Sequence, residues 1–213
     1  MATSRAQSDV YQLLLDDVKN LLTLHPSSSG TPGRPPGDTG PLLRSAVVLL
    51  HTAWENYVEQ VAVEGLDVVL LACGDDHSRL HRRLRQALGD LRDPWALAGS
   101  GWQLEARRTV EKDVGKLNTP NVQNAERLFD LALGLESGLH ELSWQGTGNA
   151  KVRENIDEFV HEIRGEIVHK GKTSGRLTKI GVESWLVFFD GVVRRLDLSI
   201  AQHLEAVTGT RPW

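Results

Sequence analysis

Read as alternating stretches of apolar and polar positions, the chain resolves into a succession of helical segments. Leu13, Leu14, Leu21, Leu22 and Leu24 recur at helical spacing between about Asp9 and Leu24, which predicts a leading amphipathic helix. From Leu42 to about Cys73, the residues Leu43, Val47, Leu50, Trp54, Tyr57 and Val61 follow three- and four-residue steps and predict a long core helix. The Arg-rich stretch Asp75 to Leu91 predicts an exposed helix capped by Asp75 or Asp76. A packed loop containing Pro94 and Trp95 and reaching Trp102 is expected next, then a helix from Leu104 to Lys116. At Asn118-Thr119-Pro120-Asn121 a cap residue precedes a proline, which predicts a new helix running to about Leu135, anchored by Phe129 and Leu133. After a loop through Trp144, a helix from about Asn149 to His169 is stopped by Gly171. The last helix runs from Gly181 or Val182 to Val207, with Trp185, Phe188, Phe189, Val192 and Leu196 on its buried side. No alternation is long enough for a sheet and no repeat is visible, so the expected class is all-α.

Composition refines this picture at one place. From Pro26 to Pro41 almost every residue is Pro, Gly, Ser, Thr or Asp, a composition that cannot bury apolar surface. The chain therefore divides into a leading helix (1–25), a linker (26–41) and a helical domain (42–213). A length of 213 residues suits one core rather than two. The formal charge of −4 argues against a protein that grips nucleic acid everywhere through its phosphates, so any phosphate contact must be local. Cys73 stands alone, which excludes an intrachain disulfide and a multi-cysteine metal site. His77, His81, His140 and His203 are scattered without acids at ligand spacing, so neither a metal nor a cofactor is expected. Asp9, Asp16 and Asp17 interrupt any secretory apolar run, and Glu64 and Asp67 interrupt the stretch Val61 to Cys73. No membrane span is expected and the cytoplasm is the natural compartment, although a protein exported by a dedicated machine would read the same way.

The helix Asn149 to His169 carries the candidate chemistry. On a helical wheel Val152, Ile156, Phe159, Val160, Ile163 and Ile167 form one stripe of about 100°, the width of a core-facing surface. Arg164 and Val168 lie at its edge, and Asp157, His161, Gly165 and His169 flank it, where the chain's own core does not need them. Gly165 costs a helix about 1 kcal/mol relative to Ala. A common compensation is the close approach of another backbone, so a partner helix is expected there. Between Ile167 and Val182 there is no Asp or Glu, yet the stretch holds Lys170, Lys172, Arg176 and Lys179. These cations form either a seat for a phosphate or a solvated loop between helices.

Arg and His together suit cleavage of a phosphodiester without a metal. Imidazole relays a proton near neutrality, and the guanidinium fork pairs with non-bridging oxygens as negative charge builds. The spacing alone is weak evidence: 17 Arg and 8 His give about two pairs by chance at a separation of four to six residues, and the chain holds two. The other, Arg44 and His51, also reads as a polar stripe on a buried helix. On a straight helix the five-residue step from Arg164 to His169 separates the side chains by about 140°, so one must reach round or His169 must sit in a frayed last turn. As part of a plain scaffold, His169 would merely cap carbonyls at a helix end.

Three blocks in fixed order resemble the HEPN superfamily, and more specifically its RiboL-PSP type. They are Arg44-Ser-Ala-Val-Val-Leu-Leu-His-Thr-Ala-Trp-Glu-Asn-Tyr-Val-Glu59, then Asn118-Thr-Pro-Asn121 with Leu128-Phe129 and Leu133-Gly134, then Arg164-Gly-Glu-Ile-Val-His169 before Gly171. The likeness covers roughly residues 42 to 205 and leaves the leading helix and linker outside it. It implies an HEPN-like helical bundle with an additional N-terminal helix, which dimerises so that two motifs line one cleft. It further implies a metal-independent endoribonuclease leaving 2′,3′-cyclic phosphate ends, with Arg164 and His169 as the catalytic pair. Glu55 and His161 are the candidate supporting polar residues, Lys170, Lys172 and Arg176 the RNA contacts, and Gly165 and Val168 the dimer interface. Members commonly carry Asn, Asp or His directly after the arginine, where this chain has Gly165; that departure leaves open a catalytically silent module that binds RNA, a nucleotide or a protein. A neutralising antitoxin or a partner in antiviral defence is implied by the same analogy.

Overall fold

A computed structural model describes residues 2–25, 39–89, 98–171 and 177–213. Most of the expected linker, the loop around Pro94 and Trp95, and the cations Lys172 and Arg176 lie outside the described residues. Among the described residues there is no strand, and an isolated bridge joins Trp144 to Thr147.

The axis of the bundle is α2 (Gly40–Cys73), 34 residues long. Pro41 sits in its first turn, where a missing amide costs nothing. The apolar steps Leu43, Val47, Leu50, Trp54, Tyr57 and Val61 are all buried, as their spacing predicts. Around α2 lie a π-helical turn (Ala6–Tyr11) running into α1 (Gln12–Thr23), then α3 (Arg82–Gly89), α4 (Gly101–Val114) and α5 (Val122–Leu133). The motif helix follows as α6 (Asn149–Asp157), a π-helical turn (Glu158–Arg164) and α7 (Gly165–Lys170), and the chain closes with α8 (Lys179–Thr208).

Several boundaries differ from expectation for local reasons. The leading helix buries Tyr11, Leu15, Val18 and Leu22, whereas Leu13 and Leu24 are 64% and 70% exposed. Its inward stripe thus starts from Tyr11 and not from the leucine run. Asp76 caps a 3-10 turn (His77–Arg79) rather than the Arg-rich helix, which begins at Arg82. Trp102 is buried inside α4 and not in a loop. The cap of α5 is Asn121, so Pro120 precedes the helix instead of opening it.

Two buried or half-buried carboxylates fasten the leading segment to the bundle. Glu64 of α2 accepts the backbone N–H groups of Arg5 and Ala6, both at 3.1 Å. Asp197 of α8 accepts the Ser4 amide at 3.1 Å, the Ser4 hydroxyl, and the Tyr57 hydroxyl at 3.4 Å. These bonds satisfy the first amides of the chain's opening turn, which have no partner within it. The leading helix and the rest of the bundle share one continuous apolar core.

The same core fixes the motif helix. Phe159 meets Phe189 of α8 at 4.7 Å and Trp185 at 5.3 Å between ring centroids, and Trp54 of α2 meets Phe189 at 5.6 Å. Close approach of α5 to α2 depends on Gly65, where a Cβ would fall 2.5 Å from a Leu133 methyl.

Candidate functional site

Val152, Ile156, Phe159, Val160 and Ile167 are buried and Ile163 is partly so, which is the stripe read from the sequence. Anchoring that stripe leaves the opposite edge of the helix at the surface. Arg164 closes the π-helical turn, and His169 lies in the last turn of α7 before Gly171, whose φ of 67° ends the helix in the left-handed region. Single π turns inside α-helices recur at functional sites. Although five residues apart, Arg164 and His169 line one surface pocket of about 300 Å³, together with Thr119, His161, Gly165 and Lys170. His169 is exposed and Arg164 half-buried, so the pocket offers an imidazole at its rim and a guanidinium at its wall.

Behind Arg164 lies a half-hidden polar cluster from α2. His51 is 1% exposed, and neither its Nε2 nor the buried Nε of Arg164 has a hydrogen-bond partner among the described residues. Burial and the nearby Arg164 charge pull the His51 imidazole down to about 4. It is therefore neutral near pH 7, and its 3.8 Å approach to the Glu55 carboxylate is not a charged pair. Burial pushes the Glu55 carboxyl up while Arg164 opposes the rise. Glu55 thus stands behind the motif arginine and not in the pocket itself. His51 is enclosed in this cluster, as a polar stripe on a buried helix would be.

The loop that forms the second block, read from the sequence as a helix start, closes the other side of the pocket through Thr119. Trp54 donates its Nε1–H to the Pro120 carbonyl at 2.7 Å, both groups buried, and so ties the loop to α2. Asn121 Oδ1 accepts the Asn124 amide at 2.9 Å, and Asn121 Nδ2 lies 3.1 Å from His161 Nε2. Asp157 Oδ1 accepts the Val122 amide at 3.0 Å. Asp157 and His161, one turn apart on the motif helix and outside its core-facing stripe, are therefore used within the chain to hold the start of α5. Thr119 and Asn121, not named from the sequence as site residues, had one available signal: both belong to the block Asn118-Thr-Pro-Asn121 that carries the resemblance.

Gly165 has ordinary helical angles of −57° and −46°, and a Cβ there would come no nearer than 3.6 Å to the Val160 carbonyl. The fold of the single chain does not require glycine at this position. Val168 is 49% exposed beside it. Lys170 pairs with Glu166 at 3.0 Å and Lys179 with Glu183 at 3.6 Å. The expected run of cations is thus bounded by carboxylates that draw off part of its field. Among the described residues no three His, Cys, Asp or Glu side chains group as metal ligands, and no helix is long and apolar enough to cross a membrane.

Comparison with the curated proteins and with the solved structures returns no match. Comparison with family models matches residues 12–202 to RiboL-PSP-HEPN, a span that takes in most of the leading helix as well as the three blocks. A match over nearly the whole chain, on an all-helical bundle that carries Arg164 and His169 in one pocket, makes this chain a member of the RiboL-PSP-HEPN family.

Proposed function

We propose that the chain is a metal-independent endoribonuclease acting in the cytoplasm, and that Arg164 and His169 are its catalytic pair. The observation that carries the reading is their convergence, across five residues, on one solvent-reachable pocket. In the reaction the 2′-oxygen of a ribose attacks the adjacent phosphorus and the bond from phosphorus to the 5′-oxygen breaks. The products are a 2′,3′-cyclic phosphate and a 5′-hydroxyl. An imidazole takes the 2′-hydroxyl proton and an imidazolium returns one to the departing oxygen. The Arg164 guanidinium pairs with the non-bridging oxygens as charge gathers on them. Two motifs in a twofold dimer, meeting across Gly165 and Val168, supply one histidine for each proton transfer. Lys170, with Lys172 and Arg176, steadies the strand, and Glu55 holds Arg164 from behind. A toxin or antiviral role, with an antitoxin or defence partner, fits such an activity.

The test is incubation of the purified protein with total and synthetic RNA in EDTA beside His169→Ala and Arg164→Ala. Cleavage with cyclic phosphate ends in wild type, abolished in both variants, is the expected outcome. Retention of RNA without cleavage would instead support a silent binding module. That second reading draws on Gly165, which follows the arginine without a polar group, and on the pairing of Lys170 with Glu166.

A further inference from the structure

The pocket holds a second imidazole, and the structure gives its ring a definite hydrogen-bonding sense. Asn121 caps α5 by accepting the Asn124 amide with Oδ1, at 2.9 Å. An amide oxygen committed there leaves Nδ2, a donor, as the atom 3.1 Å from His161 Nε2. Nε2 must then carry the lone pair, and the ring proton sits on Nδ1. Asp157 already ties the start of α5 to the same helix by accepting the Val122 amide at 3.0 Å. His161 is nevertheless kept exposed, as part of the wall that also holds Arg164 and His169. The His169 side chain, by contrast, makes no hydrogen bond with another described residue.

The geometry points to a division of labour in which His161, oriented by Asn121 as an Nδ1–H donor, binds a non-bridging oxygen of the RNA phosphodiester while His169 moves the proton. This rests on the ribonuclease reading for its substrate. A donor whose other nitrogen is already engaged does not compete with His169 for the proton in transit. It adds a directed hydrogen bond to the charge that Arg164 supplies, of the kind that lowers the barrier where negative charge develops.

Asn121→Asp provides the test, because Asp caps a helix as well as Asn does yet offers His161 an acceptor, which turns the ring proton to Nε2. Long-range proton–nitrogen spectra of the full chain labelled in histidine should show His161 with its proton on Nδ1 in wild type and on Nε2 in Asn121→Asp. Titration with a 2′-deoxy dinucleotide, which binds without being cleaved, should shift the His161 Nδ1 nitrogen resonance in wild type and leave that resonance in place in the variant. RNA cleavage should fall roughly tenfold to a hundredfold in Asn121→Asp and in His161→Ala. His161→Asn, whose amide N–H falls near the position of Nδ1, should recover part of the loss. A wild-type ring protonated on Nε2, or a signal indifferent to the dinucleotide, overturns the inference; so does full cleavage in both His161→Ala and Asn121→Asp. Absence of cleavage in wild type would count against the nuclease reading alone, since the tautomer and titration still decide the role of His161.

Discussion

His51 is an imidazole where a positive charge is costly: enclosed within α2 and facing the Arg164 guanidinium. Its folded-state value of about 4 lies below the ordinary 6.5, so between those limits the unfolded chain binds a proton that the folded chain refuses. Stability contributed by the neutral ring is complete above pH 6.5 and is lost as the pH falls toward 4. The gap is worth on the order of 3 kcal/mol. Urea midpoints at pH 7 and pH 4.5 should therefore separate more widely in wild type than in His51→Gln; equal separations would show that the ring does not titrate in this way. Gly165 offers a second single-residue test. Its helical angles and open surroundings admit a methyl group, so Gly165→Ala should stabilise the isolated chain by up to about 1 kcal/mol, a rise in Tm of a few degrees. A fall in Tm would show that something already occupies that space. The glycine itself was plain in the sequence. That Asp157 and His161 serve the start of α5 was not, because a wheel drawn on one helix shows which side chains leave the core but not which neighbouring loop meets them.

At the scale of elements, the leading helix depends on carboxylates far away in sequence. Asp197 on α8 receives the Ser4 amide and the Tyr57 hydroxyl, and no periodicity could announce a contact across 193 residues. Asp197→Ala strands those donors in the interior, at about 1 to 3 kcal/mol for each buried group left unpaired. Amide exchange should then accelerate through Ala6–Tyr11 and α1 before it does so in α5 or α8; uniform acceleration, or none, would contradict this anchoring. Helix identity was legible wherever the apolar steps were long and regular, as in α2 and α8. Ends were legible where glycine stops the backbone, as at Gly171, and misread where polar residues on both sides of a proline compete for the cap, as around Pro120. The π-helical turn before Gly165 had no signature in the apolar pattern, because Phe159 and Val160 point inward on an ordinary wheel as well.

For the whole molecule, the three blocks of the sequence meet around one site. Trp54 on α2 holds the Pro120 carbonyl, the next residue engages His161, and the motif helix presents Arg164 and His169 to the pocket so formed. The order of the blocks was visible in the chain, whereas the hydrogen bonds that join them required coordinates. The dimer proposed across Gly165 and Val168 predicts that an added charge there should part the subunits. Val168→Glu should lower the sedimenting mass to that of a monomer and remove cleavage while leaving helical content unchanged; a dimer that persists with full activity would place the interface elsewhere. The most direct measurement of whether Arg164 and His169 work together is a double-mutant comparison of RNA cleavage rates in EDTA. Each of Arg164→Ala and His169→Ala should lower the rate by about 10² to 10⁴, and the doubly substituted chain should be little slower than the slower single variant, as groups acting as one unit behave. Losses that multiply independently, or a single variant that cleaves as well as wild type, would contradict the account.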